Sequence, residues 1–144
     1  MLIDTHCHLD ADAFDADRHA VVARARAGGV SMMVLPAGHV DHFAKCADLA
    51  QEFGFAYALG THPLWIDRAL DEHVDRLRVA ATAALADARF VAIGEIGIDL
   101  HEPGLPVPRQ EWFFAEQLKV ARDLALPVIV NVRWSADLLL KHLR

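Results

Sequence analysis

Short apolar, β-branched runs alternate along this chain with longer stretches of helical period, the signature of βα units laid into a parallel sheet. The apolar runs are Leu2-Ile3-Asp4, Val30 to Leu35, Phe55 to Leu59, Phe90 to Ile93 and Val128 to Val132. Helices are predicted at about 15–27, 39–52, 70–86 and 109–125, with a last one from near Ser135, giving five units. Gly28-Gly29 closes the first helix, Pro108 opens the fourth, and Pro127 stops it before the fifth strand. In the fourth helix Phe114, Leu118, Ala121 and Ala125 recur at spacings of three and four, one apolar stripe to lay on a sheet. The strands read almost wholly apolar, as strands covered on both faces do. The stretch from His101 to Pro108, with three prolines, is the longest irregular piece.

Composition narrows the class. The chain has 144 residues, 54% apolar and 24% charged, enough for one core, so a single domain over 1–144 is expected. No apolar run nears the ~20 residues that cross a bilayer, and the Met1 to His6 start lacks the basic and apolar parts of a secretory signal, which predicts a cytoplasmic protein without a membrane partner. Cys7 and Cys46 are too few for a disulfide framework. A net charge of −6 argues against broad, sequence-independent affinity for nucleic acid. It leaves room for a nuclease that grips phosphate through a divalent cation. At 144 residues the chain is short of the about 250 that a complete (β/α)8 barrel takes.

In parallel α/β folds ligands bind beyond the carboxyl ends of the strands, and those positions are unusually polar here. Strand one runs into Asp4-Thr5-His6-Cys7-His8, strand three into Gly60-Thr61-His62-Pro63, strand four into Gly94-Glu95, and strand five into Asn131-Val132-Arg133. His6 and His8, two apart on an extended segment, leave the same face and can share a cation, while Cys7 points the other way as a small apolar residue. With nine histidines in the chain a lone H-x-H arises readily by chance; its place at a strand end is what singles it out. Glu95, expected just beyond a buried strand, is costly as an isolated charge, so it either turns to solvent, pairs with an arginine such as Arg133, or meets a cation. Two histidines and a carboxylate at one height suit Zn²⁺, Mn²⁺ or Fe²⁺ with positions left open. His62 reads equally as a ligand-orienting or a structural histidine. His19, His39, His42, His73, His101 and His142 read as surface residues, and Asp10, Asp12, Asp15 and Asp17 as a solvated helix start. Phe53, Phe55, Trp65, Trp112 and Phe113 read as packing residues.

Taken together, Ile3-Asp4-Thr5-His6-Cys7-His8-Leu9-Asp10, Gly60-Thr61-His62-Pro63 and Ala92-Ile93-Gly94-Glu95-Ile96-Gly97-Ile98-Asp99 strongly resemble the TatD family of metal-dependent deoxyribonucleases, within the amidohydrolase superfamily. The resemblance continues through Gln110, Phe114, Gln117-Leu118 and Ala121 to Leu126-Pro127-Val128-Ile129-Val130, in order over essentially the whole chain. It implies a TIM barrel whose loops hold one or two divalent cations (Mg, Mn or Zn) that activate water against DNA phosphodiesters. His6 and His8 match the family's first-strand ligands, and Glu95, the implied catalytic carboxylate, matches the residue that bridges both metals. His62, Asp99 and Arg133 are candidates to contact substrate or support the ligands. Asn131 stands where the family has a histidine ligand of the second metal, and an amide is the poorer ligand. Trp134 is bulky where something small or polar is expected. The chain holds about five of the barrel's eight units, so the later histidine and aspartate ligands have no counterpart in it. The resemblance therefore implies an incomplete (β/α) barrel with one weak metal site instead of two. Two other functions stay open: a different amidohydrolase-type metal hydrolase, and a degenerate, non-catalytic fragment or interaction module. Exposed barrel edges predict self-association.

Overall fold

A computed structural model describes residues 1–144. Its strands are β1 (Leu2–Asp4), β2 (Val30–Pro36), β3 (Ala56–Leu59), β4 (Phe90–Asp99) and β5 (Val128–Arg133), and its helices α1 (Arg18–Ala27), α2 (Phe43–Phe53), α3 (His73–Ala84), α4 (Val107–Asp123) and α5 (Ala136–Leu143). The five strands form one sheet in the order β1-β2-β3-β4-β5, every neighbouring pair parallel, so each helix carries the chain to the adjacent strand of an incomplete (β/α) barrel. The helices cover the sheet: Leu35, Leu59, Ile93, Ile96 and Ile98 from the strands share a core with Cys46, Leu49, Leu77, Phe114 and Val120 from α2, α3 and α4. A short 3₁₀ turn follows each of the first three strands, at Asp12–Phe14, Val40–His42 and Pro63–Trp65, and these turns crowd the carboxyl end of the sheet.

Three expectations change. Helix α1 opens at Arg18, because Asp12–Phe14 closes its own turn and the Arg18 guanidinium bonds back to the Leu9 carbonyl. Strands β1 and β5 are not covered on both faces: each has one neighbouring strand, Leu2 and Ile3 are 60% and 56% exposed, and β5 has no fully buried residue.

The third change concerns β4, which does not end at Ile93 but runs to Asp99 with nine of its ten residues buried. Glu95 therefore lies inside the strand instead of beyond it. Ile93 pairs with Val128 and Ile96 with Val130, so two β4 residues, Gly94 and Glu95, stand opposite the single Ile129. That extra residue is a bulge, a device that re-aims a side chain without ending the strand. Gly94 makes it possible: its φ is +159°, and a Cβ there would lie 2.7 Å from Ile129 Cβ.

Candidate metal centre

Beyond Asp4 the chain stays extended, and the Cys7 N–H bonds to the Val34 carbonyl at 3.0 Å, continuing the β1–β2 pairing. This fixes the alternation: Cys7 packs against the core, while His6 and His8 turn together toward Glu95. His6 Nε2 lies 3.0 Å and His8 Nε2 3.2 Å from Glu95 Oε2, and the two imidazole nitrogens are 3.3 Å apart. Two metal bonds of 2.0–2.1 Å at right or tetrahedral angles separate their ligand atoms by about 2.9–3.4 Å. All three spacings fall in that range, so this donor set fits one cation.

Charge agrees with geometry. The carboxylates of Asp10 and Glu95 push the His8 imidazole up to about 9, against a smaller opposing effect of burial. Burial acts to raise Glu95, but the His8 hydrogen bond and the surrounding His62, His6 and His8 imidazoles outweigh it and hold the carboxyl below its ordinary value. The buried carboxylate is thus ionised and balanced by protonated imidazole, and a divalent cation can replace that proton.

His62 comes from the turn after β3, with Nε2 3.5 Å from the same Glu95 oxygen. Its Nδ1 accepts the Leu64 N–H at 3.1 Å, which leaves the ring proton on Nε2. Burial lowers its pKa, so the ring is neutral and faces the centre as a donor. Asn131 lies beside His62, and its Nδ2 is buried without a hydrogen-bond partner. Asp99 sits farther along β4 and serves the loop: its Oδ1 accepts the N–H groups of His101 and Glu102 at 2.8 and 3.0 Å, and Arg133 lies 3.6 Å from its other oxygen.

Several sequence readings are corrected nearby. Asp10 is not a solvated helix residue but is 6% exposed, between His8 Nδ1 at 3.7 Å and His42 Nδ1 at 3.6 Å. Both separations are those of ion pairs and exceed hydrogen-bond length. His39 and His73 are buried, stacked edge to face 5.2 Å apart, and Trp65 packs against His39 and His42 at the rim of a cleft instead of in the core. Periodicity missed Asp10, His39 and Trp65 because the turn after each strand, which no period marks, folds them inward, and it missed His73 because that residue opens α3 against His39.

Comparison with known proteins agrees with this picture. The profile of the TatD related DNase family matches residues 3–144. The chain is 38% identical over 143 residues to the uncharacterized metal-dependent hydrolase YjjV of Escherichia coli (strain K12), covering 99% of this chain and 54% of that protein. It is 35% identical over 133 residues to a 3'-5' ssDNA/RNA exonuclease TatD of Cronobacter sakazakii, covering 92% and 49%. The crystal structure of the same Escherichia coli TatD homologue superposes with a TM-score of 0.92 over 99% of this chain and 54% of the other. The chain spans about half the length of the curated relatives it matches.

Proposed function

The chain belongs to the TatD related DNase family, and on that premise we propose that it provides a divalent-metal centre for hydrolysing phosphodiester bonds in DNA, with His6, His8 and Glu95 as ligands. The observation that carries this reading is the convergence of two imidazole nitrogens and one carboxylate oxygen within 4.8 Å at the spacing of bonds to a single ion. When bound, such a cation (Mg, Mn or Zn) supplies Lewis acidity and lowers the pKa of a coordinated water. Everything else falls to the protein. Glu95 brings the negative charge that holds the ion and, in the catalytic role, receives a proton. His62 presents an N–H to a substrate oxygen or to Glu95 itself. The Asn131 Nδ2, which has no hydrogen-bond partner, is a donor for a phosphoryl oxygen, and Arg133, half exposed at the strand end, supplies positive charge for an adjoining phosphate.

One weak site is proposed, because Asn131 offers an uncharged amide where a second cation would need an imidazole. A single domain over 1–144, a cytoplasmic location and self-association through the open sheet edges belong to the same proposal; no helix is long and apolar enough to cross a membrane. A non-catalytic, metal-binding module is the second reading, favoured by that same amide. Manganese-dependent release of nucleotides from single-stranded DNA tests the first reading: turnover that disappears in Glu95→Gln supports it, and no turnover in either this chain or Asn131→His supports the second.

A further inference from the structure

Trp134 follows β5 directly, is 76% exposed, and sits in the left-handed region at φ +57°. A bulky side chain takes that conformation only where its neighbours impose it. Here they do. The Arg133 carbonyl accepts the Leu100 N–H at 2.9 Å, the Arg133 N–H donates to Ser135 Oγ at 3.2 Å, and that buried hydroxyl donates to the Ile98 carbonyl. Both flanking residues are tied to the β4 segment, and the residue between them is turned outward.

The indole is braced as well as exposed. The His101 ring, from the loop after β4, stands edge to face with it, ring centres 4.3 Å apart, and His101 is itself anchored by its N–H on the buried Asp99 carboxylate at 2.8 Å. That contact leans the indole over the end of β4 and not over the open edge of β5. The other two tryptophans have closer company: Trp65 packs against His39 and His42, and Trp112 against Phe113. Trp134 alone of the three presents most of its surface to solvent, and it does so at the end of the sheet that carries His6, His8 and Glu95. Asn131, beside His62, lies three residues earlier on β5, ~10 Å away at the ~3.3 Å rise of a parallel strand. Nucleotides stacked at ~3.4 Å put about three in that span, and fewer when the strand is extended. Arg133 lies on the same face of β5 as Asn131, with its guanidinium 3.6 Å from Asp99, beyond hydrogen-bond length, so its donors are open to a phosphate in between.

We propose that Trp134, braced by His101, is a stacking platform for a base of the bound DNA strand, within about three nucleotides of the bond cleaved at the metal centre. An indole face meets the flat side of a base and reads none of its edge, so the platform accepts all four bases and positions the strand without selecting a sequence. The assignment deepens the nuclease reading and rests on it. Trp134 is a positioning residue: it holds the strand while the metal centre acts on the phosphate.

The test separates binding from cleavage by titrating hexathymidylate into the whole chain in EDTA at low salt, followed by anisotropy of an end label and by quenching of tryptophan emission. The expected result is quenching on binding, affinity weakened about fivefold or more in Trp134→Ala, and recovery in Trp134→Phe. Replacing one base at a time by an abasic residue should cost a similar factor at one position, and that cost should vanish in Trp134→Ala. Trp134→Gly suits the left-handed backbone, so its unfolding midpoint should not fall below the parent's while its affinity drops as in the alanine variant. Equal affinity in the parent, alanine and glycine variants, an abasic cost that persists in Trp134→Ala, or no hexathymidylate binding at millimolar concentration overturns the platform. So does a Trp134→Ala chain that self-associates less but binds as before, which assigns the indole to a contact between copies. Manganese-dependent cleavage with a KM that Trp134→Ala leaves unmoved overturns the platform and keeps the nuclease reading. Trp134-dependent binding in a chain that never cleaves the oligomer overturns the nuclease reading and keeps the platform as a DNA-binding feature.

Discussion

Protons and metal compete for the same atoms at the centre. Without a cation, His8 holds its proton up to about 9 because Asp10 and Glu95 face its two nitrogens. Ligation needs the neutral ring, so binding at pH 7 should release about one proton per ion, and apparent affinity should rise about tenfold per pH unit until near pH 9. Calorimetry in buffers of different ionisation enthalpy reads that proton directly, and His8→Ala should lose both the proton and the binding. The sign for stability is opposite: the metal-free protein gains from the raised His8 pKa fully below its ordinary value of 6.5 and loses that gain as pH climbs through about 9. Metal-free unfolding midpoints should therefore fall between pH 7 and pH 9 in this chain and fall less in His8→Ala. Asp10 belongs to the same circuit. A carboxylate behind a ligating imidazole orients the ring and raises its basicity, so Asp10→Asn, which keeps the shape and removes the charge, should weaken Mn²⁺ or Zn²⁺ about 10–100-fold without changing the one-site stoichiometry.

Helix α4 is what holds the site's supports at the right height. Gln110 and Gln117, both buried, lie seven apart on one face, and each bonds both backbone groups of a residue at a strand end. Gln117 accepts the Thr61 N–H at 2.6 Å and donates to the Thr61 carbonyl at 3.1 Å; Gln110 does the same for Asp99 at 2.8 and 3.1 Å. Since Thr61 precedes His62, the clamp also sets the imidazole that faces Glu95. Gln117→Leu fills the same space but strands two buried backbone groups, and should cost about 2–4 kcal/mol in urea unfolding, whereas Glu116→Leu on the solvent side should change little. The unit order and the strand-end histidines were legible because apolar periodicity and H-x-H alternation are local properties of the chain. The length of β4 was not, because a bulge opposite Ile129 is a relation between two strands. The burial of Asp10 and His39 was hidden for a related reason: short 3₁₀ turns leave no periodic mark, and a polar residue, like His73 at the start of α3, reads as solvated until its partners from other segments are known. The inward glutamines were visible as residues and silent as clamps, since nothing in the spacing of seven says which backbone they meet.

At the scale of the whole molecule, the sheet has two open edges on opposite sides. Strand β1 offers one side to β2 and strand β5 one side to β4, and each leaves its other row of backbone groups without a strand partner. Natural edges are usually blunted by lysine, proline or a covering loop. Here Leu2-Ile3-Asp4 and Val128–Arg133 contain neither lysine nor proline, and Leu2, Ile3, Val132 and Trp134 are all at least half exposed. A β1 edge of one copy matches a β5 edge of another in direction, because all five strands are parallel. Such a contact uses different surfaces on the two partners, so it does not close after two copies unless the rotation happens to allow it. The expected behaviour is a weight-average mass that climbs with concentration in sedimentation or light scattering, rather than a fixed dimer. A charge on either edge should interrupt the series: Ile3→Lys and Val132→Lys should each shift the distribution toward monomer, and the pair together should abolish growth. A single mass at every concentration would mean that the edges are covered by something other than a second copy, and the search for that partner would begin at β1 and β5.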